Sequence, residues 1–189
     1  MKPYLLVAFN KLRYSLLRML YCHGLEATGI QLTGYNTRIC IRPTSRVILE
    51  PNIVSDGRLT LIVGQDGCLR IGSRVYFNEY TIISCIASVS IGKNCMFGPH
   101  VCIYDSDHHF DADTGVQASG TTSPVVIGDG CWIGANAVIL KGTEIGNNCV
   151  IGAGCIVSGK IPSKSIVTMD RKLIVRPIKN HEKDTNHHA

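Results

Sequence analysis

Two adjacent histidines, His108 and His109, lie in a polar segment that also carries Asp105 and Asp107. Histidine is the natural general base at neutral pH, because its charge changes between about pH 5 and 8. A neighbouring carboxylate can fix the tautomer of such an imidazole, so either aspartate is a candidate for that part, although loop carboxylates are often simply solvated. The segment therefore holds the groups for a proton transfer, and the rest of the chain must position them.

The chain on both sides of this segment repeats every six residues. Aliphatic or aromatic residues recur at that period, and many of them are followed by Gly. The positions are Ile71, Phe77 and Ile83 and, after two extra residues, Ile91, Phe97, Ile103, Ile127, Ile133, Ile139, Ile145, Ile151 and Val157. The period matches neither the 3.6-residue nor the 3.5-residue repeat of helices. We therefore predict short strands and turns, with three six-residue units in each coil of a prism.

A second inward position follows four residues after each of these, near a corner where small side chains fit. It is occupied by Val75, Thr81, Ala87, Cys95, Val101, Cys131, Ala137, Thr143, Cys149 and Cys155. Cysteine behaves there as a small hydrophobic residue. The nine cysteines include no C-x-x-C pair. Free thiols in this number indicate a reducing compartment, and we predict a cytoplasmic protein.

The six-residue frame stops after Ile103 and resumes at Ile127. We predict that roughly residues 104–124 leave the prism as a loop, and loops on rigid scaffolds carry function disproportionately. The predicted organisation is a helical segment at 1–30, the prism at 31–175 and a basic, flexible tail at 176–189.

Residues 1–22 form a separate segment with two interpretations. Lys11, Ser15 and Arg18 share one helical face, whereas the leucines lie largely elsewhere. The segment is either a helix packed on the domain or on another subunit, or a basic amphipathic helix at the inner face of the membrane. Its uncharged run is too short to span a bilayer, and it lacks a signal-peptide cleavage pattern. The net charge of +5 comes without interleaved aromatic and basic residues, so we expect no nucleic-acid partner.

The stretch from Ile127 to Pro162 contains I-G-D-G-C-W-I-G-A-N-A-V-I-L-K-G-T-E-I-G and resembles the hexapeptide-repeat acetyltransferases. This group includes the galactoside, maltose and xenobiotic acetyltransferases and many polysaccharide O-acetyltransferases. The resemblance covers Ile71 to Val175. It implies an all-β fold, a single-stranded left-handed parallel β-helix with an N-terminal helix and a short C-terminal tail. It also implies a homotrimer that uses acetyl-CoA as co-substrate and needs no metal.

The resemblance also assigns the base. The family's catalytic histidine lies five residues after the aliphatic residue that ends the last strand before the loop, which selects His108 over His109. The pattern I-x-D-x-D-H-x-F is similar to the polysaccharide O-acetyltransferases in particular. We expect the acceptor to be a sugar hydroxyl of a cell-surface polysaccharide or of its small-molecule or lipid-linked precursor. The acceptor-binding candidates are Asn78, Asp105, Asp107 and His109.

Candidates for binding acetyl-CoA follow from the same resemblance and, for Lys160, Lys164 and Arg171, from their positive charge. They are Trp132, Gly134, Ala135, Gly152, Ala153, Ser158, Lys160, Lys164 and Arg171. Trp132 matches a residue near the thiol end of the co-substrate, and Ala135 matches the position whose backbone N–H faces the thioester oxygen. Ala153 and Ser158 match the coil that binds pantetheine. After the turn at Ile161 the sequence departs from the family's V-x-G-N-P-A-K pattern, so the nucleotide phosphates are assigned to the basic residues nearby.

Other functions stay open at this point. Acetylation of an amino sugar, of serine or of an antibiotic belongs to the same class. A zinc hydro-lyase of the γ-carbonic-anhydrase type needs three histidine ligands. Only His100, His108 and His109 lie in the prism, and adjacent histidines are poor partners for one metal. A prism without activity would serve as a scaffold or bind a ligand through its flat faces.

Overall fold

The structure, a computed structural model that describes residues 3–21 and 24–170, is one helix followed by many short strands. Helix α1 spans Pro3–Leu20. The strands before the polar segment are β1 Leu25–Ala27, β2 Arg38–Ile41, β3 Arg46–Leu49, β4 Val54–Ser55, β5 Leu59–Val63, β6 Cys68–Ile71, β7 Tyr76–Phe77, β8 Thr81–Cys85, β9 Ser88–Ile91, β10 Met96–Phe97 and β11 Cys102–Tyr104. Those within and after it are β12 Ser106–Asp111, β13 Gly115–Thr122, β14 Val125–Ile127, β15 Trp132–Ile133, β16 Val138–Ile139, β17 Glu144–Ile145, β18 Val150–Ile151, β19 Ile156–Val157, β20 Lys160–Ile161 and β21 Ile166–Val167.

Three parallel sheets form the faces of a prism, which confirms the predicted left-handed parallel β-helix. Face a runs in the order β1-β3-β6-β9-β14-β17-β20, face b in the order β4-β7-β10-β15-β18-β21, and face c in the order β2-β5-β8-β11-β16-β19. Within each coil the chain passes from face c to face a and then to face b. The turns that join the faces stack in three columns. We call the turns from face c to face a corner ca, those from face a to face b corner ab, and those from face b to face c corner bc.

The core is a set of columns in which each in-frame side chain lies on its counterpart in the next coil. Ile91 pairs with Ile127 and Ile127 with Ile145 on face a, and all three are buried. Phe77 and Phe97 stack on face b with ring centroids 4.8 Å apart. Side chains alternate between the core and the outside along each strand, so a slip of one residue would expose a whole column.

The coils differ in length in a way that the six-residue frame does not show. The step from Ile91 to its partner Ile127 is twice the step from Ile127 to Ile145, because the polar segment adds the length of one coil. Before it, Leu49 pairs with Ile71 in a longer coil with strands of four and five residues. The prism therefore begins at Leu25, within the segment predicted to be helical up to residue 30.

The second inward position holds mostly as predicted. Cys95, Cys131, Cys149 and Cys155 are buried, and all eight cysteines of the described residues are free thiols. The prediction is wrong at Ala87, which is only half-buried. The two extra residues between Ile83 and Ile91 place Cys85 and Val89 in the core instead.

Helix α1 lies against the first coil of the prism. Its inward face buries Asn10 and Tyr14, and both reach Thr33. The Asn10 amide donates to the Thr33 carbonyl at 3.0 Å, the Thr33 hydroxyl donates to Asn10 Oδ1 at 3.0 Å, and the Tyr14 hydroxyl lies 3.1 Å from that hydroxyl. Burial raises the pKa of Tyr14. The buried polar groups of this contact are therefore hydrogen-bonded to one another, as buried polar groups in proteins generally are.

Across residues 3–21 and 24–170, no helix has both the length and the apolar character needed to cross a bilayer. The predicted tail at 176–189 and the last residues of the predicted prism, 171–175, lie outside the described residues.

Replacing Phe97 by Ala should lower the free energy of unfolding by about 3–5 kcal/mol, because it removes one ring of the Phe77–Phe97 stack and leaves a cavity in the core. Urea unfolding followed by circular dichroism measures the change. Val126→Ala, on the outer side of β14, is the control and should cost less than about 1 kcal/mol. Equal losses for the two variants would contradict the column packing.

Candidate functional site

The polar segment forms a hairpin that projects from corner ca. Strands β12 and β13 pair antiparallel, with Asp107 opposite Thr121 and His108 opposite Gly120, and the register shifts between His108 and Phe110. A Cβ at Gly120 would collide with the Asp107 carbonyl oxygen. Glycine is therefore required where the two strands approach each other beside His108.

His108 lines a cavity of about 530 Å³ between the hairpin and the end of face c. Ser84 and Tyr104 contribute the face c side, and Ala118 and Thr122 contribute the β13 side. The His108 side chain is exposed, and its ring has no hydrogen-bond partner in the part of the chain that the structure describes. Both ring nitrogens are therefore available to a ligand.

His109 has a different environment. Its Nδ1 lies 3.3 Å from the Ser119 hydroxyl, at the register shift in the hairpin, and it does not line the cavity. The prediction of His109 as a residue that meets the acceptor is thus not supported by its position. The structure separates two histidines that are neighbours in sequence.

Asp107 is held by two hydrogen bonds. Lys141 Nζ lies 2.7 Å from Asp107 Oδ1, and the Thr121 hydroxyl donates to the same oxygen at 2.7 Å. The Lys141 ammonium and the Thr121 hydroxyl lower the pKa of Asp107. This carboxylate ties the hairpin to the next coil, and no hydrogen bond connects it to His108.

Asp105 is fully buried, with 0% of its surface exposed. Its carboxylate accepts the backbone N–H groups of Ile86 at 2.8 Å and of Ala87 and Ser88 at 2.7 Å each. It is therefore placed neither to meet an acceptor nor to orient His108, in contrast to the prediction. Its charge is instead used to hold the irregular turn of corner ca below the hairpin.

Corner ab shows how the turns of this prism are normally closed. The backbone N–H of Lys93 donates to Asp129 Oδ1 at 2.9 Å, that of Asp129 to Asn147 Oδ1 at 2.8 Å, and that of Asn147 to Ser163 Oγ at 3.0 Å. Each side chain caps the turn of the preceding coil.

The corresponding turns at corner bc lack this closure. Ala135 and Ala153 stand where corner ab has Asp129 and Asn147, and a methyl group cannot accept a hydrogen bond. Within residues 3–21 and 24–170, the N–H groups of Ala135 and Ala153 have no acceptor. Ala153 is exposed and Ala135 half-buried. Two backbone donors on successive coils are therefore available to a ligand along this edge.

Other predicted residues lie on the same edge. Gly134 and Gly152 immediately precede these alanines, and the Gly134 N–H donates to the Ile151 carbonyl of the next coil at 2.7 Å. Asn78 occupies the same corner nearer the N-terminus, where its Oδ1 accepts the Glu79 N–H at 2.8 Å.

Trp132 lies on face b, where the chain enters that face from corner ab. It pairs with Met96 of the preceding coil, and 58% of its surface is exposed. A tryptophan this exposed on a flat sheet is free to contact another molecule.

The remaining predicted residues do not join this edge in one chain. Ser158 lies at corner ca, Lys160 forms an ion pair of 3.0 Å with Glu144 on face a, and Lys164 lies at corner ab. Arg171 is outside the described residues. Among the described residues, no three His, Cys, Asp or Glu side chains are grouped so that they could hold a metal ion.

The chain is similar in sequence to a known family and to known proteins. The family model described as bacterial transferase hexapeptide (six repeats) matches residues 124–159. YJL218W of Saccharomyces cerevisiae, described as an acetyltransferase, is 34% identical over 77% of this chain and 70% of its own. WbbJ of Escherichia coli, described as a lipopolysaccharide biosynthesis O-acetyl transferase, is 30% identical over 75% of this chain and 76% of its own.

The chain belongs to the hexapeptide-repeat acetyltransferase family. It is an acyltransferase, so the interpretations as a hydro-lyase and as a prism without activity are set aside. The crystal structure of the hexapeptide-repeat acetyltransferase VCA0836 of Vibrio cholerae, complexed with acetyl coenzyme A, shares the fold. Its TM-score is 0.53 at 23% identity, over 90% of this chain and 78% of that one.

Sequence reasoning about this family member missed Lys141. Ile103 pairs with Ile139, so the register of the repeat places Lys141 one coil beyond Asp105. A basic residue one coil beyond the start of the hairpin could have predicted an ion pair with one of the aspartates of the polar segment. The buried state of Asp105 had no signal, because it depends on the irregular turn after Cys85.

Replacing Asp105 by Ala should lower the free energy of unfolding by about 3 kcal/mol or more, since three backbone N–H groups lose the carboxylate of a fully buried residue. Thermal and urea unfolding measure the loss. Asp111→Ala is the matched control, because the Asp111 carboxylate also accepts several hydrogen bonds, at the exposed tip of the hairpin. We expect it to cost about 1 kcal/mol or less. A larger loss for Asp111→Ala would contradict the anchoring of the turn by Asp105.

Proposed function

We propose that the protein transfers the acetyl group of acetyl-CoA to a hydroxyl of a sugar, in a cell-surface polysaccharide or its precursor, with His108 as general base. The relative WbbJ, described as acting in lipopolysaccharide biosynthesis, supports this acceptor class. Acetyl-CoA as co-substrate is supported by the neighbour that was crystallised with it.

The observation that carries the proposal is the position of His108. Its imidazole, which has no hydrogen-bond partner among the described residues, lines a cavity large enough for a sugar unit. Asp107 also borders this cavity, but its carboxylate is bonded to Lys141 and Thr121, and Asp105 and His109 have other contacts. A general base must lie within hydrogen-bond reach of the proton that it removes. An acceptor hydroxyl in this cavity would meet that condition.

The reaction then proceeds by direct attack. The His108 imidazole takes the hydroxyl proton while the acceptor oxygen forms a bond to the thioester carbonyl carbon. The tetrahedral intermediate collapses with cleavage of the carbon–sulfur bond, and the imidazolium returns the proton to the CoA sulfur. The products are an acetyl ester and free CoA, and no covalent enzyme intermediate is required.

The uncapped donors of corner bc fit the other half of this reaction. An oxyanion develops on the thioester oxygen, and a preorganised backbone N–H such as that of Ala135 stabilises it. The N–H of Ala153, one coil further on, would bind a carbonyl of the pantetheine arm, and Trp132 offers an apolar surface to the arm. Ser158, Lys160, Lys164 and Arg171 are retained as contacts to the far end of CoA.

One chain alone does not bring these groups together. Ser84, which lines the His108 cavity, is four strand residues from Tyr80 at corner bc, or roughly 13 Å of extended chain. A base and an oxyanion donor must both lie about 3 Å from the reacting atoms. We therefore propose sites between copies, with His108 from one chain and corner bc from its neighbour, as in a homotrimer.

Replacing His108 by Ala should lower the rate of acetyl transfer by a factor of about 10² or more, because the general base is lost. The rate is measured as free thiol released from acetyl-CoA with a panel of sugars, amino sugars and lipid-linked sugars as acceptors. The affinity for CoA should change by less than about twofold. His109→Ala is the control and should lose less than about tenfold. Equal activity of His108→Ala and wild type would exclude His108 as the base.

Replacing Ala153 by Asn should lower kcat by a factor of about 10² or more, because the new side chain would cap the Ala135 N–H as Asn147 caps Asp129. The same substitution should leave the unfolding temperature unchanged or raise it. Asn147→Ala is the matched control: it uncaps a turn at corner ab and should reduce stability by about 1 kcal/mol with little effect on kcat. Full activity of Ala153→Asn would exclude the Ala135 N–H as the oxyanion donor.

A further inference from the structure

Helix α1 carries an apolar stripe on the side away from the prism. The stripe is made of side chains that are between 40% and 75% exposed, namely Leu5, Phe9, Leu12, Leu16, Met19 and Leu20. We call these residues the outer stripe. They recur at helical spacing along almost the whole helix, so they form one continuous surface rather than scattered exposed residues.

The rotation of the helix is set by the opposite side. Asn10 and Tyr14 are buried against the first coil through Thr33, and Leu17 and Tyr21 pack against the core. The outer stripe lies on the other side of the helix axis from these residues. Its part from Leu5 to Leu16 therefore faces away from the prism, while Met19 and Leu20 border clefts beside the first coils. No part of the chain that the structure describes covers the stripe.

All charged side chains of α1 are positive, and Glu26 of β1, which borders the same cleft as Arg18 and Met19, is paired with Arg46 at 2.7 Å. Residues 3–21 contain no Asp or Glu. Lys11 and Arg18 are exposed, seven residues apart, and lie together on one flank of the stripe. Neither forms an ion pair in the described part of the chain. The third basic residue, Arg13, is used within the chain, where its guanidinium donates to the carbonyls of Gly34 and Thr37.

We propose that the outer stripe docks on an anionic phospholipid bilayer, with α1 lying in the plane of the surface. The apolar side chains enter the boundary between headgroups and acyl chains, and Lys11 and Arg18 meet lipid phosphates. Six exposed apolar side chains on a helix whose own charges are all positive suit such a surface. A second protein copy bearing the same basic flank would be repelled.

The docking has a consequence for the acceptor. A protein held at a bilayer by its first coil encounters sugars that are attached to lipid, so the acceptor class narrows to lipid-linked sugars. This consequence rests on the proposed function, whereas the docking itself does not.

The test is co-sedimentation of the full chain with vesicles. Vesicles of phosphatidylcholine with one quarter phosphatidylglycerol should bind the protein, and vesicles of phosphatidylcholine alone should bind it at least about fivefold less. Raising the salt concentration should weaken the binding to anionic vesicles. Failure of the wild-type chain to bind anionic vesicles would overturn the proposal.

Two variants separate the apolar and the charged contributions. Leu12→Glu with Leu16→Glu should lower vesicle binding at least tenfold, and Lys11→Gln with Arg18→Gln should lower it about tenfold on anionic vesicles only. Val126→Glu, an exposed apolar residue of face a far from α1, is the matched control and should bind like wild type. Circular dichroism and the unfolding temperature verify that each variant is folded.

A second copy as the occupant gives a different result. In that case the Leu12→Glu, Leu16→Glu variant would change the molar mass measured by light scattering, and vesicle binding would be absent throughout. Thiol release with both soluble and lipid-linked sugar acceptors is measured on the same samples. Vesicle binding without any acetyl transfer would disprove the proposed function alone, and transfer without vesicle binding would disprove the docking alone.

Discussion

The backbone register between successive coils is the constraint on which the rest of this structure depends. Every in-frame residue is paired with its counterpart one coil away, as in the series Ile91, Ile127, Ile145 on face a. A strand that slipped by one residue would turn its core side chains outward. The inward side chains of the faces therefore have little freedom to vary, and the largest insertion and the uncapped turns lie at the corners.

The three corners have accordingly become different. Corner ab is closed by side chains such as Asp129 and Asn147, which satisfy the turn N–H groups of the coil before. At corner bc the N–H groups of Ala135 and Ala153 have no acceptor among the described residues, and corner ca carries the hairpin. An uncapped donor costs stability unless solvent or a ligand meets it. Under the proposed function, the uncapped corner bc is where the fold exchanges stability for binding, whereas corner ca is held by Asp105 and carries the hairpin.

Much of the fold was predictable from the sequence, for physical reasons. The columns of the core and the excursion after Ile103 follow from one period and its interruption. The start of the prism at Leu25 was not predictable, since coils with longer strands leave the six-residue frame. The position of His108 in a projecting segment could be predicted from the sequence, whereas the burial of Asp105 could not. That burial depends on three N–H groups that converge only after the chain has folded.

The helix at the beginning of the chain shows how a buried polar contact can determine an outer surface. Apolar packing alone would let α1 rotate or slide on the first coil, because leucines interchange at little cost. The hydrogen bonds among Asn10, Tyr14 and Thr33 are directional, and a rotated helix would leave them buried without partners. They therefore fix which side of the helix faces the prism. The side that carries Leu12 and Leu16 is exposed as a consequence, and the apolar character of that side is a separate property of the sequence that the inner contact does not require.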